Sequence, residues 1–224
     1  MSLKIKNFLN ENKHFYLFIY SFIYLIFFKL VEIRTAGNYH NMHHVLDDKI
    51  PFNEFFAIPY FLWFFYIGYV LVKLSIKSKP DFVKAFTYIF GGMTIGLVIF
   101  LIYPTEQGLR PEIMPRDNIL TGLVHFLHRI DTPTNVCPSL HVYDSIGACI
   151  AVMLAKDCFN RIEKYAAVFL TISISLSTLF LKQHSVIDVF WGLVMSVVMY
   201  FVIYLPDYGK YFNKAELSVR SKTI

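Results

Sequence analysis

The sequence predicts an all-α fold: an integral membrane bundle of six transmembrane helices that forms one domain over residues 1–224. Apolar residues make up 56% of the chain, above the roughly 45–50% that is typical of soluble domains. They lie in continuous runs rather than in the alternating pattern of a membrane β-barrel, which argues against a sheet. Most runs have about the 17–22 residues that a helix needs to cross a bilayer. The predicted spans are 15–31, 55–74, 82–103, 141–156, 164–181 and 188–205, of which the short fourth is expected to extend into its flanks.

Lysine and arginine are unevenly distributed between the two sides that these spans create. Fourteen lie in the N-terminal tail, the 73–84 and 156–164 loops and the C-terminal tail, against six in the opposite loops. Because basic residues accumulate on the cytoplasmic side, we predict a multi-pass cell-membrane protein with both termini in the cytoplasm. The net charge of +5 is then a signal of topology and of anionic lipid, and it indicates no nucleic-acid partner.

Two polar loops, 32–54 and 104–140, are predicted on the outer side, where they would cover the polar motifs at the ends of the spans. The second loop contains an amphipathic segment at 120–130, which predicts a short surface helix. The first contains His40, His43 and His44, which keeps a zinc site open as an alternative. No fixed tetrahedral spacing and no paired cysteine accompany them, so we expect an interfacial loop, no metal and no cofactor.

A polar break with two ionisable groups separates the fifth and sixth predicted spans. His184 and Asp188 lie four residues apart, which brings their side chains to one face of a helix. Asp188 could then accept the ring N–H of His184 and fix its tautomer, as a nucleophile or a base requires. An Asp that opens an apolar span indicates function because intramembrane charge is costly. The alternative is a histidine and an aspartate that are hydrated at the membrane interface.

Two further motifs are predicted on the same side of the membrane. His141 follows Ser139 and Leu140 at the start of the fourth span, where unpaired backbone N–H groups favour an anion. Arg110, in the loop before that span, carries a planar guanidinium that suits phosphate oxygens.

The three motifs resemble those of the type 2 phosphatidic acid phosphatase superfamily, in the branch with inositolphosphotransferase-like and lipid phosphatase members. The motifs are Arg110-Pro111, Pro138-Ser139-Leu140-His141 and Ser177-x6-His184-x3-Asp188. The resemblance covers residues 103–192, and the arrangement of spans extends it over most of the chain. The sequence departs from the family pattern at Tyr103, Leu140 and Thr178, where the family has Lys, Gly and Arg.

The resemblance implies a role for each matched residue. His184 would be the nucleophile, Asp188 would orient it, and His141 would be the general acid. Phosphate would be held by Arg110, by the backbone N–H groups of Ser139 and Leu140, and by the Ser177 hydroxyl. Because two cations of the family pattern are missing, we expect Lys182 to supply one of the absent charges; the alternative is that it anchors the fifth span at the lipid headgroups.

These observations predict a metal-independent membrane phosphatase that forms a phosphohistidine and acts on a phospholipid or an isoprenyl phosphate, on the outer face. The motifs are shared with phosphotransferases, in which an alcohol or inositol hydroxyl replaces water, so a lipid phosphotransferase stays open. A transporter that binds an anionic headgroup without turnover is a third possibility. A phosphohistidine on His184 would distinguish an enzyme from a transporter.

Overall fold

A computed structural model of the chain describes residues 12–34 and 37–206, and most of these are helical. Short 3₁₀ turns at Lys13–Tyr16 and Glu54–Phe56 lead into the first and third α-helices. The strands β1 (His40–Asn41) and β2 (Thr105–Glu106) form a parallel pair. The α-helices are α1 (Leu17–Glu32), α2 (Val45–Lys49), α3 (Ala57–Lys77), α4 (Lys79–Ile102), α5 (Ile119–Ile130), α6 (Leu140–Leu154), α7 (Arg161–Phe180) and α8 (Val186–Ile203).

Five of the helical segments in the described part of the chain are long and apolar enough to cross a membrane. They are Lys13–Glu32, Glu54–Lys77, Lys79–Ile102, Arg161–Phe180 and Val186–Ile203. The coarse prediction of an all-α membrane bundle is therefore confirmed, and the ends of these helices lie within three residues of the predicted spans.

The fourth predicted span differs from its expectation. Its helix, α6, has 15 residues and does not extend into the flanks. Pro138 precedes it, and a proline ring fixes φ and removes an N–H donor. At the other end Ala155 already has an extended backbone, with φ −68° and ψ 106°. The helix is therefore short because Pro138 limits it at one end and the extended backbone of Ala155 ends it at the other.

Helix α6 lies at the centre of the bundle, where it packs against α3, α4, α7 and α8. Small side chains on α6, such as Gly147, Ala148 and Ala151, are buried and let the neighbouring helices approach closely. The ring of Tyr143 stacks on Tyr88 of α4 with centroids 5.1 Å apart. The central position brings the N-terminal end of α6 next to the N-terminal ends of α3 and α8.

The 32–54 and 104–140 loops are packed together over this end of the bundle. The N–H of His40 donates to the carbonyl O of Pro104 at 2.9 Å, and that of Met42 to Glu106 at 2.7 Å. In the second loop, Arg116 forms an ion pair with Glu54 in the 3₁₀ turn that leads into α3, with Nε 2.6 Å from Oε1. The amphipathic segment forms α5, as expected, and the Asn118 side chain caps it by accepting from the Thr121 N–H.

Candidate active site

His184 and Asp188 are in contact at the start of α8. The Nδ1 atom of His184 lies 3.3 Å from Oδ2 of Asp188, and both side chains are buried. The same oxygen accepts the backbone N–H of Ser185 at 2.8 Å, and the Ser185 side chain caps α8 in return. An ionised carboxylate can only accept hydrogen bonds, so this contact assigns the ring hydrogen to Nδ1. The Nε2 atom then keeps its lone pair.

His141 lies beside His184, although the two residues belong to different helix junctions. Their ring centroids are 5.8 Å apart. The His141 ring also packs against Tyr60 and Trp63 of α3, with a centroid separation of 4.6 Å in each case. These aromatic contacts hold the imidazole in the first turn of α6.

A backbone hydrogen bond joins the starts of α6 and α8. The N–H of Ser139 donates to the carbonyl O of Asp188 at 3.0 Å, so this N–H, which was expected to hold phosphate, has a protein partner instead. The Ser139 hydroxyl is buried and makes no hydrogen bond to the described residues. Gly192 permits the close approach, since an added Cβ would lie 2.7 Å from the carbonyl O of Ser139. Leu140 is the first helical residue, where an N–H has no partner within the helix.

Arg110 connects the end of α5 to the turn that carries His184. Its Nη atoms donate to the carbonyl oxygens of His128, at 3.0 Å, and Asp131, at 2.7 Å. A third bond goes to the side-chain oxygen of Gln183, the residue before His184. Burial lowers the pKa of Arg110 from its usual value. Burial, and then the charge of Arg110, lower the pKa of His128 to about 4, so this imidazole is neutral near pH 7.

The other two predicted phosphate ligands are bonded to backbone carbonyls. The ammonium of Lys182 donates to the carbonyl O of Asp47 at 2.6 Å, and the Ser177 hydroxyl donates to Ile174 within α7 at 2.6 Å. Neither of these bonds involves the two histidines. Lys182 is buried and has a left-handed backbone with φ 57°. Burial lowers its pKa, although Asp47 and Asp48 act in the opposite direction.

A small cavity of about 40 Å³ lies at the histidine pair and is called the histidine cavity below. Both His141 and His184 line it, together with Gln183 and the carboxyl residues Glu32 and Asp131. Thr132 donates its hydroxyl to Glu32, and Tyr60 donates to Asp131 at 2.9 Å. These two acids were missed in the sequence. Glu32 could have been recognised in the sequence, because it is an ionisable residue at the end of an apolar run.

A second, mostly apolar cavity of about 190 Å³ adjoins the first and is called the chain cavity. The two cavities share Phe28, Asp131, Leu140 and His141 as lining residues. Tyr24, Trp63 and Phe64 form other parts of its wall. Asp131 and His141 lie where this apolar cavity meets the histidine cavity.

The histidines of the 32–54 loop have separate partners. The ring of His40 stacks on Tyr103 with centroids 3.9 Å apart. His43 pairs with Asp48 at 2.9 Å, and His44 accepts the Leu46 N–H and thereby caps α2. Over residues 12–34 and 37–206, no three His, Cys, Asp or Glu side chains form a group that could hold a metal ion. Metal independence stays a prediction about activity.

Comparisons of this chain with protein families, with curated proteins and with solved structures find no match. The resemblance of the three motifs is therefore an interpretation of short patterns. The geometry shows the contact between His184 and Asp188 that the spacing predicted, and it adds a second imidazole, His141, beside that pair.

Proposed function

We propose that this chain is a membrane phosphatase that removes phosphate from a lipid phosphate or diphosphate through a phosphohistidine. The observation that supports the proposal is the arrangement of three side chains. Asp188 accepts from Nδ1 of His184, and the ring of His141 lies 5.8 Å from that of His184, centroid to centroid. A nucleophile with an orienting carboxylate and a second group for proton transfer are the parts that such a displacement needs.

The proposed reaction has two displacements at phosphorus. In the first, the lone pair on Nε2 of His184 forms a bond to phosphorus and the bond to the lipid oxygen breaks. His141, protonated when the phosphate anion is bound beside it, donates its proton to that oxygen. Asp188 stabilises the positive charge that develops on the His184 ring. In the second, neutral His141 takes a proton from water, whose oxygen attacks phosphorus. The N–P bond then breaks, and phosphate leaves.

Charge on the phosphate oxygens would be stabilised by Arg110, the Leu140 N–H and the Ser139 hydroxyl. Arg110 could exchange its bond to Gln183 for a phosphate oxygen while keeping its bonds to the two backbone carbonyls. The Ser139 hydroxyl is buried and has no hydrogen-bond partner among the described residues, so it can donate to a ligand. Such electrostatic contacts typically contribute a few kcal/mol each to the transition state.

The proposal includes the finer topology. Helix α6 would be the fourth of six spans, with both termini in the cytoplasm and the histidines on the outer face. A reporter inserted near Asn118 should then be found outside, whereas reporters at 75–80 and after residue 224 should be found in the cytoplasm. A cytoplasmic reporter at Asn118 would overturn both the orientation and an outer-leaflet substrate.

The decisive experiment is to trap the phosphoenzyme. Purified protein in detergent is mixed with radiolabelled lipid phosphates, denatured rapidly, and tested for an acid-labile, base-stable phosphate on His184. The label should be absent from His184→Ala and present in the control His125→Ala, which replaces an exposed histidine of α5. Lipid binding without any label would instead favour the transporter. Transfer of label to added inositol or alcohol would favour the phosphotransferase.

The same assay tests metal independence. Turnover and trapping should be unchanged in EDTA, because side chains supply each group that the reaction needs. His184 is the nucleophile, His141 is the general acid, and Arg110 stabilises the charge on the phosphate oxygens. Loss of activity in EDTA that zinc restores would contradict this, and would make His40, His43 and His44 the first candidates for ligands.

A further inference from the structure

Asp144 is a carboxyl group inside the helical bundle that the proposed phosphatase reaction does not use. It lies in α6, three residues after His141, and its side chain is completely buried. Both carboxyl oxygens lack a hydrogen-bond partner within the described residues. An unpaired carboxyl is costly in apolar surroundings, and in a membrane protein it indicates a functional site.

Two other buried polar atoms without a partner lie on the same cavity as Asp144. They are the hydroxyl of Tyr24 in α1 and the indole N–H of Trp63 in α3, and neither bonds to any residue that the structure describes. The cavity has a volume of about 290 Å³ and is called the deep cavity. Its remaining wall is largely aliphatic and aromatic. Three helices thus direct unsatisfied polar groups to one apolar cavity.

The deep cavity adjoins the chain cavity, which in turn adjoins the histidine cavity. It shares Tyr24, Leu25, Trp63, Phe64 and Met93 with the chain cavity, which in turn shares His141 and Asp131 with the histidine cavity. Leu25 and Phe64 are 58% and 54% exposed on the outside of the bundle. A lipid in the surrounding bilayer therefore has a route between α1 and α3 into both cavities.

The spacing along α6 sets the depth of Asp144 relative to the histidines. Three residues of α-helix correspond to a rise of about 4.5 Å and to neighbouring positions on the helix surface. In a diacyl phospholipid, the ester carbonyls are the first polar atoms beyond the phosphate and the glycerol oxygens. A lipid with its phosphate at His184 would hold those carbonyls about one helical turn deeper, close to the level of Asp144.

We propose that Asp144, Tyr24 and Trp63 form a subsite for the polar linkage of a diacyl phospholipid. The Tyr24 hydroxyl, the Trp63 N–H and the protonated carboxyl of Asp144 donate to the ester oxygens of this linkage. An isoprenyl phosphate has no polar atom beyond its phosphate and leaves all three groups unsatisfied. This inference rests on the proposed function, because His184 is taken to mark the position of the phosphate, and it selects the phospholipid from the two substrate classes.

The test compares three ligands with one phosphate each: dioctanoylphosphatidate, its dialkyl ether analogue and geranylgeranyl monophosphate. Binding is measured in detergent on His184→Ala, which prevents turnover. The diester should bind roughly tenfold tighter than either other ligand, which is the effect of one or two net hydrogen bonds. Equal affinities for the diester and the diether would overturn the proposal.

Asp144→Leu, made in the same His184→Ala protein, tests the named residue. The substitution keeps the approximate volume and removes the unpaired carboxyl, so we expect an unchanged or higher Tm together with a fall in the diester preference to about threefold or less. Ser196→Ala is the control, since Ser196 is buried but its hydroxyl donates to the carbonyl O of Gly192 in its own helix. A diester preference that survives in Asp144→Leu would show that Asp144 does not contribute.

Binding and turnover separate the two proposals. A diester preference without any phosphohistidine would support the subsite and reject the phosphatase. A phosphohistidine that forms equally well from all three ligands would support the phosphatase and reject the subsite. Should Asp144→Leu fail to fold, Asp144→Asn provides the second variant, and the diester preference of the parent His184→Ala protein still decides the class of lipid.

Discussion

The carboxylate of Asp47 accepts a hydrogen bond of 2.6 Å from the hydroxyl of Ser185, the residue that follows His184. Its other oxygen accepts the N–H of Val186 at 2.9 Å, and its backbone carbonyl accepts from the ammonium of Lys182. Asp47 is only 1% exposed, although it belongs to the 32–54 loop. A loop 138 residues away in sequence thus holds the turn that carries the candidate nucleophile.

Replacing Asp47 should impair the reaction by displacing His184. For Asp47→Ala we expect kcat to fall by roughly tenfold to a hundredfold, because the orientation of the imidazole is lost, while KM changes by less than about threefold. Asp48→Ala is the matched control, since Asp48 is exposed and pairs with His43 at the surface. A fall in Tm with unchanged kcat would show that Asp47 stabilises the loop and does not position His184.

Asp188→Asn should be among the most damaging single substitutions in the protein. The carboxamide has nearly the same shape, but it can present an N–H to Nδ1 of His184 and so favour the wrong tautomer. We expect kcat to fall roughly a thousandfold or more while the Tm changes little. In the double variant with His184→Ala the losses should not add, because the two residues act as a unit. Additive losses would contradict a shared role.

Lys182→Gln distinguishes the two interpretations of this lysine. If its charge assists the transition state, kcat/KM should fall by roughly one to three powers of ten, and Lys182→Arg should recover part of the loss. The contact with the carbonyl O of Asp47 predicts an additional decrease in Tm, because a charged donor is removed from a buried acceptor. A lower Tm with wild-type kcat/KM would show that Lys182 stabilises its contact with the 32–54 loop and does not assist the transition state.

Gly192→Ala should destabilise the contact between α6 and α8. The added Cβ would lie 2.7 Å from the carbonyl O of Ser139, and a backbone atom cannot move aside as a flexible side chain could. Overpacking of this kind typically costs about 1–3 kcal/mol, which thermal or chemical unfolding in detergent can detect. The control is Gly122→Ala, since a Cβ there would meet nothing within 4 Å. That change should leave stability equal or slightly higher, because alanine favours a helix.

The stability of the protein should depend on pH through His128. Its pKa is about 4 in the folded protein, below the roughly 6.5 of an unfolded chain. Between these values the unfolded state binds more protons, so the free energy of unfolding decreases as the pH is lowered from about 6.5 towards 4. Above pH 6.5 His128 is neutral in both states, so it does not change the free energy of unfolding with pH. Tm measured from pH 7.5 to 4.5 should therefore fall less steeply in His128→Asn than in the wild type. Identical slopes would contradict a buried neutral His128.

Local sequence patterns determined the helices and one contact of the site. The length of an apolar run and the residues that end it act within a few turns of chain, so helices appear at all six predicted spans. Side-chain caps at Asn118, Asn160 and Ser185 start α5, α7 and α8 for the same local reason. The spacing of four residues between His184 and Asp188 likewise predicts the observed contact.

Only the tertiary structure decided which separate segments meet. Three contacts of the site join distant parts of the chain. They are the ring contact of His141 with His184, the hydrogen bonds from the 182–186 turn to Asp47, and the hydrogen bond from Arg110 to Gln183. Asp144 was visible as an acid inside an apolar run, but its lack of a partner appears only when α1 and α3 are in place. The physical reason is that a buried polar group is satisfied, or left unsatisfied, by the helices that pack around it, and helix packing depends on the whole bundle rather than on local spacing.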